Sequence, residues 1–200
     1  MAYTANTAFE ARITNGRFND LENIAGKFGT VSSTTLTPAD CSAGFLCKQA
    51  FRLPCEGFTG VVNENTWAMV AAVAADNAGV EIYACNTHDV QLLSDGSGNS
   101  YAVGHRTLGL GVPANRYGNF TNIIFDGKHT YRFGIGNVSG ELGANKFCTI
   151  NAGFLKPAAS APTTSGAIYF EVVGTGTFTE GTTGSFGYVD VVAKTAVAAS

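Results

Sequence analysis

The side chains best suited to chemistry are thiols, and their spacing is Cys41-x5-Cys47-x7-Cys55. Structural zinc sites favour C-x(2–4)-C pairs matched by a second Cys or His pair, and neither interval here fits that pattern. Small, buried hydrophobes in a tight segment are the simpler expectation for these three cysteines. A second group, Cys85-x2-His88-Asp89 with Asp95 and His105 further along, has the residue types of a metal site or a Cys-His nucleophile pair. A hairpin would have to fold the two halves together, and ionisable residues beside hairpin loops are common on plain surfaces. No metal ligand, cofactor ligand or catalytic residue is assigned from either group.

Other patterns are weaker still. Asp95-Gly96-Ser97-Gly98-Asn99 alternates oxygen-bearing side chains as a calcium loop does, but it lacks the acidic density and closing Glu of an EF-hand. Gly134-x-Gly136-x3-Gly140 misses the dinucleotide spacing, and no helical pattern follows it. Glu64, Glu171 and Glu180 are the carboxylates a glycosidase would draw on, and nothing in the sequence couples any two of them. Asn119-Phe120-Thr121 and Asn137-Val138-Ser139 match the glycosylation pattern but have no secretory context. There is no G-x-S-x-G, H-E-x-x-H or P-loop. Trp67, Tyr83, Tyr101, Tyr117 and Tyr131 are the aromatics that a sugar-binding face would use, or else the core and rim of a β fold.

Composition narrows the partners. The chain has 200 residues, of which 14% are charged, against about a quarter in an ordinary soluble domain. A surface so poor in charge favours association with other chains. Its formal net charge is −3 and its basic residues are scattered singly, which argues against a phosphate backbone as a direct partner. The opening residues MAYTANTAFEARITNGRF show no basic segment followed by an apolar one, and no apolar run approaches the roughly 18 needed to cross a bilayer. The expectation is a chain made and kept in a cytosol, without a membrane. Its five cysteines should then be reduced, and their odd number forbids complete internal pairing.

The elements that must position these residues read as strands. Leu46 to Phe51, Phe58 to Val62, Trp67 to Ala75 and Val80 to Cys85 are short apolar or alternating runs bounded by Pro, Gly, Asn and Asp. Trp67 to Ala75 and Val80 to Cys85 are predicted to form a hairpin. A second is predicted from Val90 to Val103, and a third from Ile123 to Ile135 around Asp126-Gly127. Leu155 to Pro162 reads as a connector. Residues Ile168 to Val192 read as three strands with turns near Gly174 and at Gly181 to Gly184. The fold expected is all-β, an antiparallel β-sandwich or barrel, with a single β domain over 31–200.

Residues 1–30 stand apart. Phe9, Ile13, Phe18, Leu21 and Ile24 fall at spacings a helix can use, interrupted by Asn15-Gly16. They are predicted to form short helical pieces, or an arm whose five apolar residues anchor on another chain. Thr37-Pro38 reads as a further helix start.

In overall character the sequence resembles the small virion structural proteins of tailed bacteriophages, in particular head-decoration or cement proteins. The resemblance rests on the N-terminal segment from Ala5 to Ala25, the Thr/Gly/Ala-rich strands, the scarcity of charge and the lack of a catalytic motif. It implies a β-sandwich or barrel, a homo-oligomer such as a trimer, the major capsid protein as partner, and the virion as location. It implies no enzyme and assigns no site residue. A carbohydrate- or receptor-binding virion module is the alternative reading, and a hydrolase the third.

Overall fold

The computed structural model describes residues 7, 9–12, 22–54, 62–76, 79–86, 91–94, 100–103, 111–179 and 185–197. Among them the protein is nearly all-β, as the sequence leads one to expect, and consists of a closed five-stranded barrel and a second sheet. The only helical turn in the described residues is a 3-10 turn at Ile135–Asn137.

The strands are β1 (Phe9–Arg12), β2 (Asn23–Ser32), β3 (Thr35–Pro38), β4 (Leu46–Pro54), β5 (Val62–Ala71), β6 (Ile82–Cys85), β7 (Gln91–Ser94), β8 (Ser100–Val103), β9 (Gly118–Asn122), β10 (Thr130–Gly134), β11 (Phe147–Asn151), β12 (Phe154–Ala158), β13 (Ile168–Thr179) and β14 (Ser185–Thr195). The barrel runs β2-β5-β4-β6-β9 and closes by pairing β9 back onto β2, while β3 extends the far half of β2. One of its seams, β2 with β5, is parallel. The second sheet has the order β1-β10-β14-β13-β11-β12, and β7 pairs with β8 as a separate hairpin.

Alternation explains how the two units share one core. On β4 and β6, Cys47 stands opposite Tyr83 and packs inside the barrel with Phe28, Met69, Cys85 and Phe120. The neighbouring pair, Leu46 opposite Ala84, points the other way and packs with Tyr131, Phe133, Phe170, Val189 and Val191 of the second sheet. β6 is therefore buried on both faces, and its sequence Ile-Tyr-Ala-Cys has no polar face to show. Asn137, fully buried, ties the units together by donating from Nδ2 to the Ala43 carbonyl at 2.8 Å.

Gly153 makes a second tie. Its φ of +84° lets the β11–β12 turn enter the barrel wall, where its N–H donates to Ala72 and its carbonyl accepts from Leu46 N–H, both at 2.8 Å. The Phe45 ring lies directly on its α-carbon, so a β-carbon there would collide with that ring. Phe45 in turn meets Phe28 and Phe154 edge-on, with centroids 5.2 and 5.0 Å apart.

Several local expectations are corrected. β5 and β6 do not pair with each other; both flank β4, because the Ala72 to Glu81 connection crosses over instead of turning tightly. Asp126-Gly127 does not close a hairpin either. It is the corner at which the chain leaves the barrel after β9 and enters the second sheet at β10, with Gly127 N–H held by the Ala193 carbonyl at 2.9 Å. Thr37-Pro38 starts no helix but ends edge strand β3, and Pro157 sits on edge strand β12, where a missing N–H costs least. The expected turn near Gly174 is a bulge at Val173 inside one long strand, β13.

Within the first thirty residues, Phe9–Arg12 and everything described from Asn23 onward are strand, not helix. Sheet pairing to β10 and to β9 overrides the helical spacing there. The predicted helical stretch over 13–21, with Ile13, Phe18 and Leu21, lies outside the described residues.

Candidate functional site

One end of the barrel opens into a cavity of about 560 Å³ beside the start of β2. Parallel seam β2–β5 begins only at Ala25 opposite Thr66, so among the described strands the first residues of β2 pair with β9 alone and the wall parts at this point. Into the gap come Gln49 and Arg52 from β4, Trp67 from β5, Tyr83 from β6 and Glu81 just before it, with Glu22 and Asn23 at the rim.

The side chains are interlocked. Gln49 Nε2 donates to Tyr83 Oη at 3.2 Å, and that hydroxyl donates to Glu81 Oε2 at 2.7 Å. Burial, then the Glu81 carboxylate and the more distant charge of Glu22, hold the Tyr83 phenol well above its usual ionisation range, so it stays a donor. Arg52 lies over the Trp67 indole with its Cζ 5.2 Å from the ring. Asn23 Oδ1 accepts from Thr121 Oγ1 at 2.6 Å, and that hydroxyl accepts from Asn86 Nδ2 at 2.9 Å. The register that aims Arg52 here depends on a bulge at Ala50, between the Gln49–Met69 and Phe51–Ala68 pairs.

Deeper in the barrel the sulfur atoms gather. Cys41 and Cys47 place their Sγ atoms 4.0 Å apart, and Cys85 Sγ lies 3.9 Å from the Cys41 carbonyl oxygen. All three are buried thiols, and burial pushes Cys41 and Cys47 above the usual thiol range, with each influencing the other. Among the described residues no three His, Cys, Asp or Glu side chains are arranged to hold a metal ion. The sequence grouped Cys85 with His88, Asp89, Asp95 and His105. The structure joins it to Cys41 and Cys47, and the other four, with Cys55, lie outside the described residues.

The remaining candidates disperse. Of the aromatics whose side chains are described, Trp67 and Tyr83 meet at one cavity. Tyr131 is buried between the sheets and accepts from Ile124 N–H at 2.8 Å, Tyr117 is half-exposed under Lys27, and Tyr101 lies on β8. Glu64 is on β5 and Glu171 on β13, in different sheets, and Glu171 is ion-paired with Lys194. Glu180 and the Asp95 to Asn99 loop lie outside the described residues. Phe9 is buried against Tyr131 and Phe133, and Ile24 is buried inside the barrel, so both side chains are taken up by the chain's own core. Sequence reasoning missed Gln49, Arg52 and Glu81. The first could have been found by carrying the Cys47 alternation along β4.

β11 pairs with β13 only at Phe170 and Glu171, whereas β13 continues to Thr179. From Val173 to Thr179 (VGTGTFT) that edge pairs with no other described strand, and it carries no charge and no proline. Val173 is 56% exposed, and Thr175 and Thr177 are exposed as well.

Comparison of the chain with protein-family models, with curated proteins and with solved structures yields no match.

Proposed function

We propose that this chain is a virion structural protein that acts by association, decorating and stabilising a capsid by binding the major capsid protein. The observation that supports it is the far edge of β13, which pairs with no other strand among the described residues. A free strand edge displays unpaired N–H and C=O groups, and proteins that do not use such an edge blunt it with lysine, proline, an inward charge or a bulge. Of these only a bulge occurs, at Val173 where the segment begins; from Gly174 to Thr179 there is no lysine, proline or charge, and the other side of the strand is paired to β14 residue by residue. An edge left uncharged in this way is suited to adding a strand from a neighbour, where backbone hydrogen bonds supply affinity without reactive side chains. The low charge content serves the same end. In this reading the protein is a homo-oligomer in which the β13 edge first pairs copies of the chain, and the assembled unit then sits on the capsid.

The reading is tested by quantitative mass spectrometry of density-purified particles from cells that express the chain. Peptides of this protein should be present in a fixed ratio to the major capsid protein, and should remain after a high-salt wash. Their absence from the particles, with the protein recovered in the soluble fraction, would contradict it.

A further inference from the structure

We infer that the cavity at the open end of the barrel is a binding site for a neutral saccharide, a function separate from association through β13. Its lining mixes donors and acceptors at close range: the Gln49 carboxamide, the Arg52 guanidinium, the Tyr83 hydroxyl and the carboxylates of Glu22 and Glu81. A ligand hydroxyl both donates and accepts, so a ligand rich in hydroxyls is the class that can satisfy such a set. Trp67 adds the apolar element: Arg52 lies over its ring, so the C–H face of a sugar would pack against the exposed remainder of the indole and the aliphatic stem of Arg52.

Charge and preorganisation narrow the class. Two carboxylates and one guanidinium line the cavity, which disfavours phosphorylated or acidic ligands. An apolar ligand would strip water from the charged groups of Glu22, Arg52 and Glu81 and give nothing back. The Gln49–Tyr83–Glu81 chain of hydrogen bonds at 3.2 and 2.7 Å fixes the floor before anything binds, so little ordering cost remains. A volume of about 560 Å³ falls within the range of small-ligand sites and suits a short saccharide, such as the end of a glycan, better than an extended chain through the barrel.

The sequence contains a single tryptophan, so intrinsic tryptophan emission reports on this cavity alone. Cellobiose, lactose, maltose and N,N′-diacetylchitobiose are titrated into the full chain while that emission is followed, with saturation-transfer NMR as a second readout. At least one should give a saturable change with sugar protons receiving saturation. Arg52→Ala and Glu81→Gln, both at exposed side chains and checked for unchanged circular dichroism, should each raise Kd about tenfold or more. The inference is overturned if none of the four sugars gives a saturable signal in either readout. It is also overturned if glucose 6-phosphate or sialyllactose binds and the neutral sugars do not, or if binding is unchanged in both variants.

Discussion

Arg132 on β10 grips Asp190 on β14 at two points, Nε to Oδ1 and Nη2 to Oδ2, each at 2.7 Å. The two residues are register partners, and the guanidinium also lies 3.6 Å from the centre of the Tyr188 ring, one position along on the same side of β14. Across β13, Gly176 stands opposite Tyr188, and a β-carbon there would come within 2.5 Å of the ring's Cζ. Gly176 thus lets the aromatic ring lie over the backbone of β13. This cluster anchors the base of the open-edged segment of β13 to the rest of the sheet.

Removing one partner from this half-buried pair should cost about 2–4 kcal/mol, so Arg132→Met should lower the urea midpoint clearly while leaving the fold's circular dichroism unchanged. Gly176→Ala should cost about 1–3 kcal/mol by displacing the Tyr188 ring. In a Tyr188→Ala background that cost should largely vanish, and the difference is read as a coupling energy in a double-mutant cycle. Additive effects would show that ring and glycine do not bear on each other.

Phe9 offers a separate test of where the first strand belongs. Its ring is 3% exposed and sits 5.3 Å from Phe133 and 6.1 Å from Tyr131, centroid to centroid. Phe9→Ala should therefore destabilise the isolated protein by about 3 kcal/mol or more, as other large-to-small core changes do. A change below about 1 kcal/mol in chemical unfolding would mean that β1 is not docked in solution.

The thiols and phenols predict an alkaline limit to stability. Burial pushes Cys148 up to about 11 and raises Cys41 and Cys47 too, while the Tyr83 and Tyr131 phenols are also held above their usual range. An unfolded thiol ionises near pH 8.5, so the folded chain keeps protons that the unfolded chain has lost. The resulting stabilisation is complete below about pH 8 and is lost as pH rises toward about 11. Thermal melting should be level through neutral pH and fall steeply above about pH 9. At pH 8 a thiol reagent should modify Cys41, Cys47, Cys85 and Cys148 only on unfolding, because all four are buried. Rapid labelling of these four in the native protein would refute the burial.

The all-β class was legible because it rests on local grammar: alternation along β13 and β14, and turn residues between runs. Partner choice was not. Asp126-Gly127 reads as a hairpin turn in any local window, yet β9 and β10 belong to different sheets, and only the shared core between them decides that. Likewise, Trp67 to Ala71 and Ile82 to Cys85 are strands, as their composition indicates, but both choose β4 because its nine residues can serve two neighbours. The cavity was half legible. Trp67 and Tyr83 stand out by residue type, whereas Arg52 reaches them through a bulge that has no marker such as glycine at Ala50. The thiol trio depends on barrel closure, which brings Cys85 to Cys41 across 44 positions of sequence.

The central claim, association through the β13 edge, is tested most directly by sedimentation equilibrium of the intact chain beside a Val173→Lys/Thr175→Lys variant. Both substituted side chains are exposed, so the charges should leave the monomer fold intact while blunting the edge. The wild-type protein should sediment as an integral multiple of its 20.7 kDa chain mass, and the double-lysine variant as the 20.7 kDa monomer with unchanged circular dichroism. A wild-type protein that is monomeric, or a variant that keeps the wild-type oligomer, would contradict the account.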